Sequence, residues 1–73
     1  MYREAELAAL AKRHRMQSGK TKAEVAREFG VARSTIQLAE ENPEQSLTRL
    51  RIRMIEAYSD CRVKGPVYWL ERI

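Results

Sequence analysis

Residues 22–41, KAEVAREFGVARSTIQLAEE, decide the reading of this chain. Thr21 precedes them, and Thr21-Lys22-Ala23-Glu24 has capping-box spacing: a hydroxyl to accept from the Glu24 amide and a carboxylate to reach back. Val25, Ala26 and Phe29 recur at helical spacing, which predicts a short helix over 22–29. Gly30 breaks it, Val31 follows, and another helix starts near Arg33 with Ile36 and Ala39 as its inner edge and Thr35 beside them. Ala26 is small where two steeply crossing helices must approach, and Gly30 allows the tight turn. The apolar Val25, Phe29, Val31, Ile36 and Ala39 lock the second helix onto the first. Glu40-Glu41-Asn42-Pro43-Glu44 ends it, because a residue before proline is biased away from helix and Asn-Pro favours a turn.

Outward from this pair, residues 2–17 lack Gly and Pro and are rich in helix formers. Leu7, Leu10, Ala11 and His14 mark one buried face, and Ser18-Gly19 supplies a stop. On the other side, Ser46 is a good N-cap for a helix over about 47–60. On that helix Leu47, Leu50, Met54, Tyr58 and Cys61 cluster within about 80° and form the expected core face. Ile52 and Ile55 fall on a neighbouring flank, surplus to that stripe. Lys64-Gly65-Pro66 is a breaker, and Val67-Tyr68-Trp69-Leu70 leans to strand. A lone strand has no ladder partner, so it needs a second copy or a docking surface. The expected architecture is all-α: a compact domain of four to five helices over 1–62, with the two-helix unit at its centre. A short extended or strand-like tail over 63–73 completes it.

The chain has 73 residues, enough for one small domain, and is 44% hydrophobic and 33% charged, which argues against disorder. Its 14 Lys and Arg against 10 Asp and Glu give +4, a balance that permits nucleic-acid binding. The charge is uneven: residues 1–38 carry eight basic and four acidic side chains, and 39–48 three acids and no base. No apolar run approaches the length of a membrane span, and the start of the chain does not read as a secretory signal. One cysteine, Cys61, makes no intramolecular disulfide, so a reduced, cytoplasmic setting is expected. No nucleophile–base pair and no metal-ligand spacing can be argued. The expectation is a protein that is not an enzyme and has no cofactor, metal or small-molecule ligand.

An outward face bearing Arg33, Ser34 and Gln37 near the start of a helix can enter the major groove of DNA. Arg can bind guanine bidentately and Gln adenine. Ser34 or Thr35 can touch a phosphate or a thymine methyl, and the positive end of the helix dipole favours phosphate at the same place. Lys20, Lys22, Arg27 and Arg33 would supply non-specific affinity. Leu38 is open between a thymine-methyl contact and a contact to a neighbouring helix.

The stretch 22–41, with a long helix before it and a helix after an Asn-Pro turn, resembles the helix-turn-helix of phage-repressor-like regulators, the lambda repressor, Cro and XRE group. The phrase Val31-Ala32-Arg33-Ser34-Thr35-Ile36 also looks like the DNA-reading end of resolvases and some transposases. The repressor-like resemblance covers roughly residues 5–60 and implies a five-helix layout. By it, Arg33, Ser34 and Gln37 face base edges, and Lys22 stands where a phosphate-contacting Gln is common. Arg15 and Glu40 match a pair that ties the first helix to the end of the reading helix. Lys20, Ala32 and Glu41 depart from the pattern.

The implied function is a sequence-specific DNA-binding transcription regulator, a repressor that occupies a two-fold symmetric operator as a homodimer. Base contacts fall to Arg33, Ser34 and Gln37, and phosphate contacts to Lys20, Lys22, Arg27 and Thr35. Ile52, Ile55, Tyr68 and Trp69 are the candidate dimer surface. Two alternatives are an antitoxin-like module whose tail binds a partner and the DNA-binding module of a recombinase or transposase. Elsewhere the plainer readings stand: His14 packed rather than a ligand, Cys61 a small buried side chain, and Arg49, Arg51 and Arg53 a solvated surface.

Overall fold

The Thr21 capping box closes as its spacing requires. Thr21 Oγ1 accepts from the Glu24 amide at 3.1 Å, and the Thr21 amide donates to Glu24 Oε1 at 2.9 Å. In the computed structural model, which describes residues 2–64 and 68–73, this box starts a helix at Lys22. The helices are α1 Glu4–Ser18, α2 Lys22–Phe29, α3 Arg33–Glu41 and α4 Thr48–Ala57, followed by strands β1 Cys61–Lys64 and β2 Trp69–Arg72. Gly30 ends α2 at φ 67°. Its amide bonds the Arg27 carbonyl at 3.4 Å and the Val31 amide bonds that of Ala26 at 3.0 Å, so the turn satisfies two of the last carbonyls of α2.

One core serves all four helices. Leu7, Leu10 and Ala11 from α1, Val25 and Ala26 from α2, Ile36 and Ala39 from α3, and Met54 and Ile55 from α4 form a single buried cluster. The expected inner faces of α1, α2 and α3 are the observed ones, except that His14 and Phe29 are only half-buried. Among the described residues the chain is mostly helical with four helices, one fewer than the resemblance implies.

The C-terminal end differs more. α4 stops at Ala57, so Cys61 lies not on its core face but at the start of β1, where it is half-exposed. The strand-leaning run finds its ladder partner within the chain: β1 and β2 pair antiparallel, with Val63 opposite Leu70 and Lys64 opposite Trp69. The tail is therefore one arm of a hairpin, and no second copy is needed to pair it. An isolated two-stranded hairpin is marginal in water. Here Val63, Tyr68 and Leu70 pack on the helical core. The Val63 amide also donates to Glu56 Oε2 at 3.0 Å, and Tyr2 and Tyr68 exchange backbone hydrogen bonds. β1 runs through the 62/63 position where the sequence suggested a boundary. The Gly65-Pro66 break and Val67 lie outside the described residues.

Two expectations for α4 are corrected. Ile55 is fully buried and is removed from the candidate dimer surface, because α4 is flanked by α1 on one side and by β1 on another. That widens its buried arc beyond a single stripe. Arg51, expected on a solvated surface, is also fully buried. Among the described residues, no helix is long and apolar enough to cross a membrane.

Candidate nucleic-acid interface

α3 has two distinct sides. Ile36, Ala39 and Glu40 face inward and are buried, whereas Arg33, Ser34, Gln37 and Leu38 are exposed. The pattern follows from spacing: 36, 39 and 40 fall on one face of a helix and 33, 34, 37 and 38 on another. The three residues expected to read bases thus share the open side of the first two turns. Leu38, 39% exposed, belongs to that open side rather than to a helix–helix contact. Ala32 caps α3 in extended conformation (φ −71°, ψ 149°) without a side-chain hydrogen bond.

The inward side is held by charge as well as by packing. Arg15 Nε and Nη2 donate to Glu40 Oε2 and Oε1 at 2.5 and 3.0 Å, and Nη1 donates to the Lys20 carbonyl at 2.9 Å. The two side chains are 10% and 0% exposed, so this is an interior, bidentate pair. It joins α1, the loop before α2 and the last turn of α3. Glu41, acidic beside the open side of α3, is answered by Lys12 Nζ at 2.5 Å. That hydrogen bond, with the charges of Lys12, Lys22 and Arg15 behind it, holds the Glu41 carboxyl below its ordinary range.

The expected phosphate contacts are less uniform. Arg27 is exposed on the last turn of α2, while Lys22 and Thr35 are half-buried at the first turns of α2 and α3. Lys20 is engaged within the chain. Its ammonium pairs with Glu28, whose other oxygen accepts from Tyr58 Oη at 2.5 Å. The pair raises the Lys20 pKa and lowers that of Glu28. Burial and the bond to Glu28 together raise that of Tyr58. The pair is open to solvent, which screens it, so Lys20 can exchange Glu28 for another anion.

The remaining dimer candidates also separate. Ile52 and Tyr68 are half-buried against the chain's own core, and Trp69 is 43% exposed. Among the described residues, the hairpin strands make no close backbone approach to α2 or α3. Among the described residues, no group of three His, Cys, Asp or Glu is placed to hold a metal ion.

Arg51 is the residue the sequence reading missed. From α4 its guanidinium donates to the carbonyls of Ala39 (Nε, 2.8 Å), Asn42 (Nη2, 2.8 Å) and Gln45 (Nη1, 2.9 Å). A signal was available. On a helical wheel position 51 falls between Met54 and Ile55, at about 60° of the roughly 100° that separates them, inside the buried arc. The alternating arginines at 49, 51 and 53 hid it. Arg49 and Arg53 are exposed, and the Arg53 guanidinium lies 4.9 Å from the centroid of the Phe29 ring. No protein-family model, curated protein or solved structure matches the chain.

Proposed function

We propose that this chain is a sequence-specific DNA-binding transcription regulator that lays α3 in the major groove. The observation that carries the reading is the two-sidedness of α3: Arg33, Ser34 and Gln37 are open while Ile36, Ala39 and Glu40 are locked inside. Arg33 suits guanine and Gln37 adenine. Arg27 and Lys22 on α2, and Lys20 once released from Glu28, suit the phosphates on either side. The helix-turn-helix resemblance of residues 22–41 to phage-repressor-like regulators points the same way. The protein is a binding module rather than an enzyme, and repression by occupying an operator is the simplest mode of action for it.

We place the chain on a two-fold symmetric site as a homodimer. Trp69 and Ile73, 43% and 78% exposed, supply apolar surface on a hairpin that leaves α3 clear. Ile55 has no part in that contact. Trp69→Ala should lower the sedimentation coefficient at micromolar concentration, and an unchanged value removes the hairpin from the dimer.

Selection from random duplex DNA at near-physiological salt tests the whole reading. It predicts enrichment of a symmetric site with half-site centres about 10 base pairs, or 34 Å, apart. Salt-sensitive binding without enrichment would overturn it.

A further inference from the structure

The end of α3 poses a hydrogen-bonding problem that Arg51 solves. In a continuing helix the Ala39 carbonyl would accept from the amide of residue 43, but that residue is Pro43, which has no N–H. Arg51 Nε takes the vacant place at 2.8 Å. The same planar group reaches the Asn42 carbonyl at 2.8 Å and the Gln45 carbonyl at 2.9 Å. One guanidinium therefore spans the last turn of α3 and the connection into α4. It also brings positive charge to the C-terminal, negative end of the α3 dipole, where α3 has no basic residue of its own. Arg51 is fully buried; its bond to the Ala39 carbonyl is buried, and those to Asn42 and Gln45 are partly so.

The Arg15–Glu40 pair grips the same end of α3 from α1. Two arginines from two different helices thus clamp the C-terminal half of α3, and its N-terminal half, with Arg33, Ser34 and Gln37, projects from the clamp. We propose that Arg51 is a positioning residue for DNA reading, setting the angle at which α3 presents those three side chains although Arg51 itself is out of reach of DNA. This inference rests on the DNA-binding reading above. Bidentate base contacts tolerate displacements of only about 0.5 Å and 10–20°, so a small rotation about the clamped end costs discrimination before it costs phosphate contacts. Lysine cannot replace the clamp, because one ammonium does not match three carbonyls held by a rigid planar fork.

The experiment measures the affinities of the full chain for its selected duplex and for a scrambled duplex of equal length. Wild type, Arg51→Lys and Arg51→Met are compared at a temperature where circular dichroism shows each folded. Partial unfolding lowers both affinities by one factor and leaves their ratio unchanged; repositioning changes the ratio. The expected result is a ratio at least tenfold smaller in Arg51→Met, with scrambled-duplex affinity within about twofold of wild type and the salt slope unchanged. If Arg51→Met does not fold, Arg51→Lys carries the test with the same expected direction. A folded variant with the wild-type ratio overturns the positioning role alone. A wild-type chain that does not discriminate overturns the DNA reading, and the positioning role with it.

Discussion

Removing Glu40 tests whether the pair it forms with Arg15 behaves as an interior or a surface ion pair, and the two cases differ severalfold in energy. An exposed pair contributes about 0–1 kcal/mol, whereas breaking a buried one by deleting a single partner costs about 3–5 kcal/mol, because a charge is left enclosed and unanswered. The Arg15 and Glu40 side chains are 10% and 0% exposed, and two hydrogen bonds join them at 2.5 and 3.0 Å, so the interior value applies. A domain of 73 residues has a total stability of about 4–11 kcal/mol at the usual 0.05–0.15 kcal/mol per residue. Glu40→Ala therefore removes a large share of it. Arg15→Met with Glu40→Leu exchanges both charges for apolar groups and should recover most of the loss, since a buried pair roughly balances its own desolvation. Urea denaturation followed by far-ultraviolet circular dichroism of Arg15→Met, Glu40→Leu and the two combined gives the double-mutant cycle. A cost under about 1 kcal/mol for Glu40→Ala, with the double variant equal to the sum of its singles, would make the pair a surface one.

Three further outcomes are expected. Gly30→Ala should cost about 1–2 kcal/mol in thermal denaturation and Gly30→Asn less. The φ of +67° is the whole reason, because an added Cβ meets nothing within 4 Å; equal costs for Ala and Asn would contradict this. Ala32→Ser should stabilise by about 1 kcal/mol, by offering the amides of Ser34 or Thr35 a side-chain acceptor that α3 lacks. Acidification should destabilise in two windows. Burial and the Arg13 charge lower the His14 pKa from 6.5, so the folded form binds fewer protons there and stability falls as pH drops below 6.5. Glu24, Glu28, Glu41 and Glu44 lie below the ordinary 4.5 through their hydrogen bonds. Their contribution is present above 4.5 and lost as pH falls through the lowered values. Melting curves from pH 8 to 3 read both windows, and His14→Gln should flatten only the upper one.

Local chemistry made the centre of the fold legible. The Thr21 box and Gly30 bound α2 at Lys22–Phe29, and Pro43 limits α3 to Arg33–Glu41. The outward placement of Arg33, Ser34 and Gln37 followed from helical spacing, and the Arg15–Glu40 pair from the family resemblance. What stayed illegible depends on contacts distant in sequence. β1 has four residues, CRVK, too few to show a period. Its pairing with β2 across residues 65–68 turns an apparent lone strand into a hairpin. Ile55 reads as surplus only if α4 has one packing partner, and β1 supplies another. Position 51 lies in the buried arc of α4 on a helical wheel, but its bond to the Ala39 carbonyl, which Pro43 leaves unanswered, joins residues that spacing alone does not bring together.

The most direct test of base reading by α3 is the equilibrium binding of Arg33→Ala to the selected duplex and to each of its single-base variants at fixed salt. A base-reading Arg33 gives a loss of about 1–3 kcal/mol on the selected duplex and a relaxed preference at one base position. An equal loss on every duplex would make Arg33 a phosphate contact, and no loss on any of them would contradict the placement of α3 in the groove.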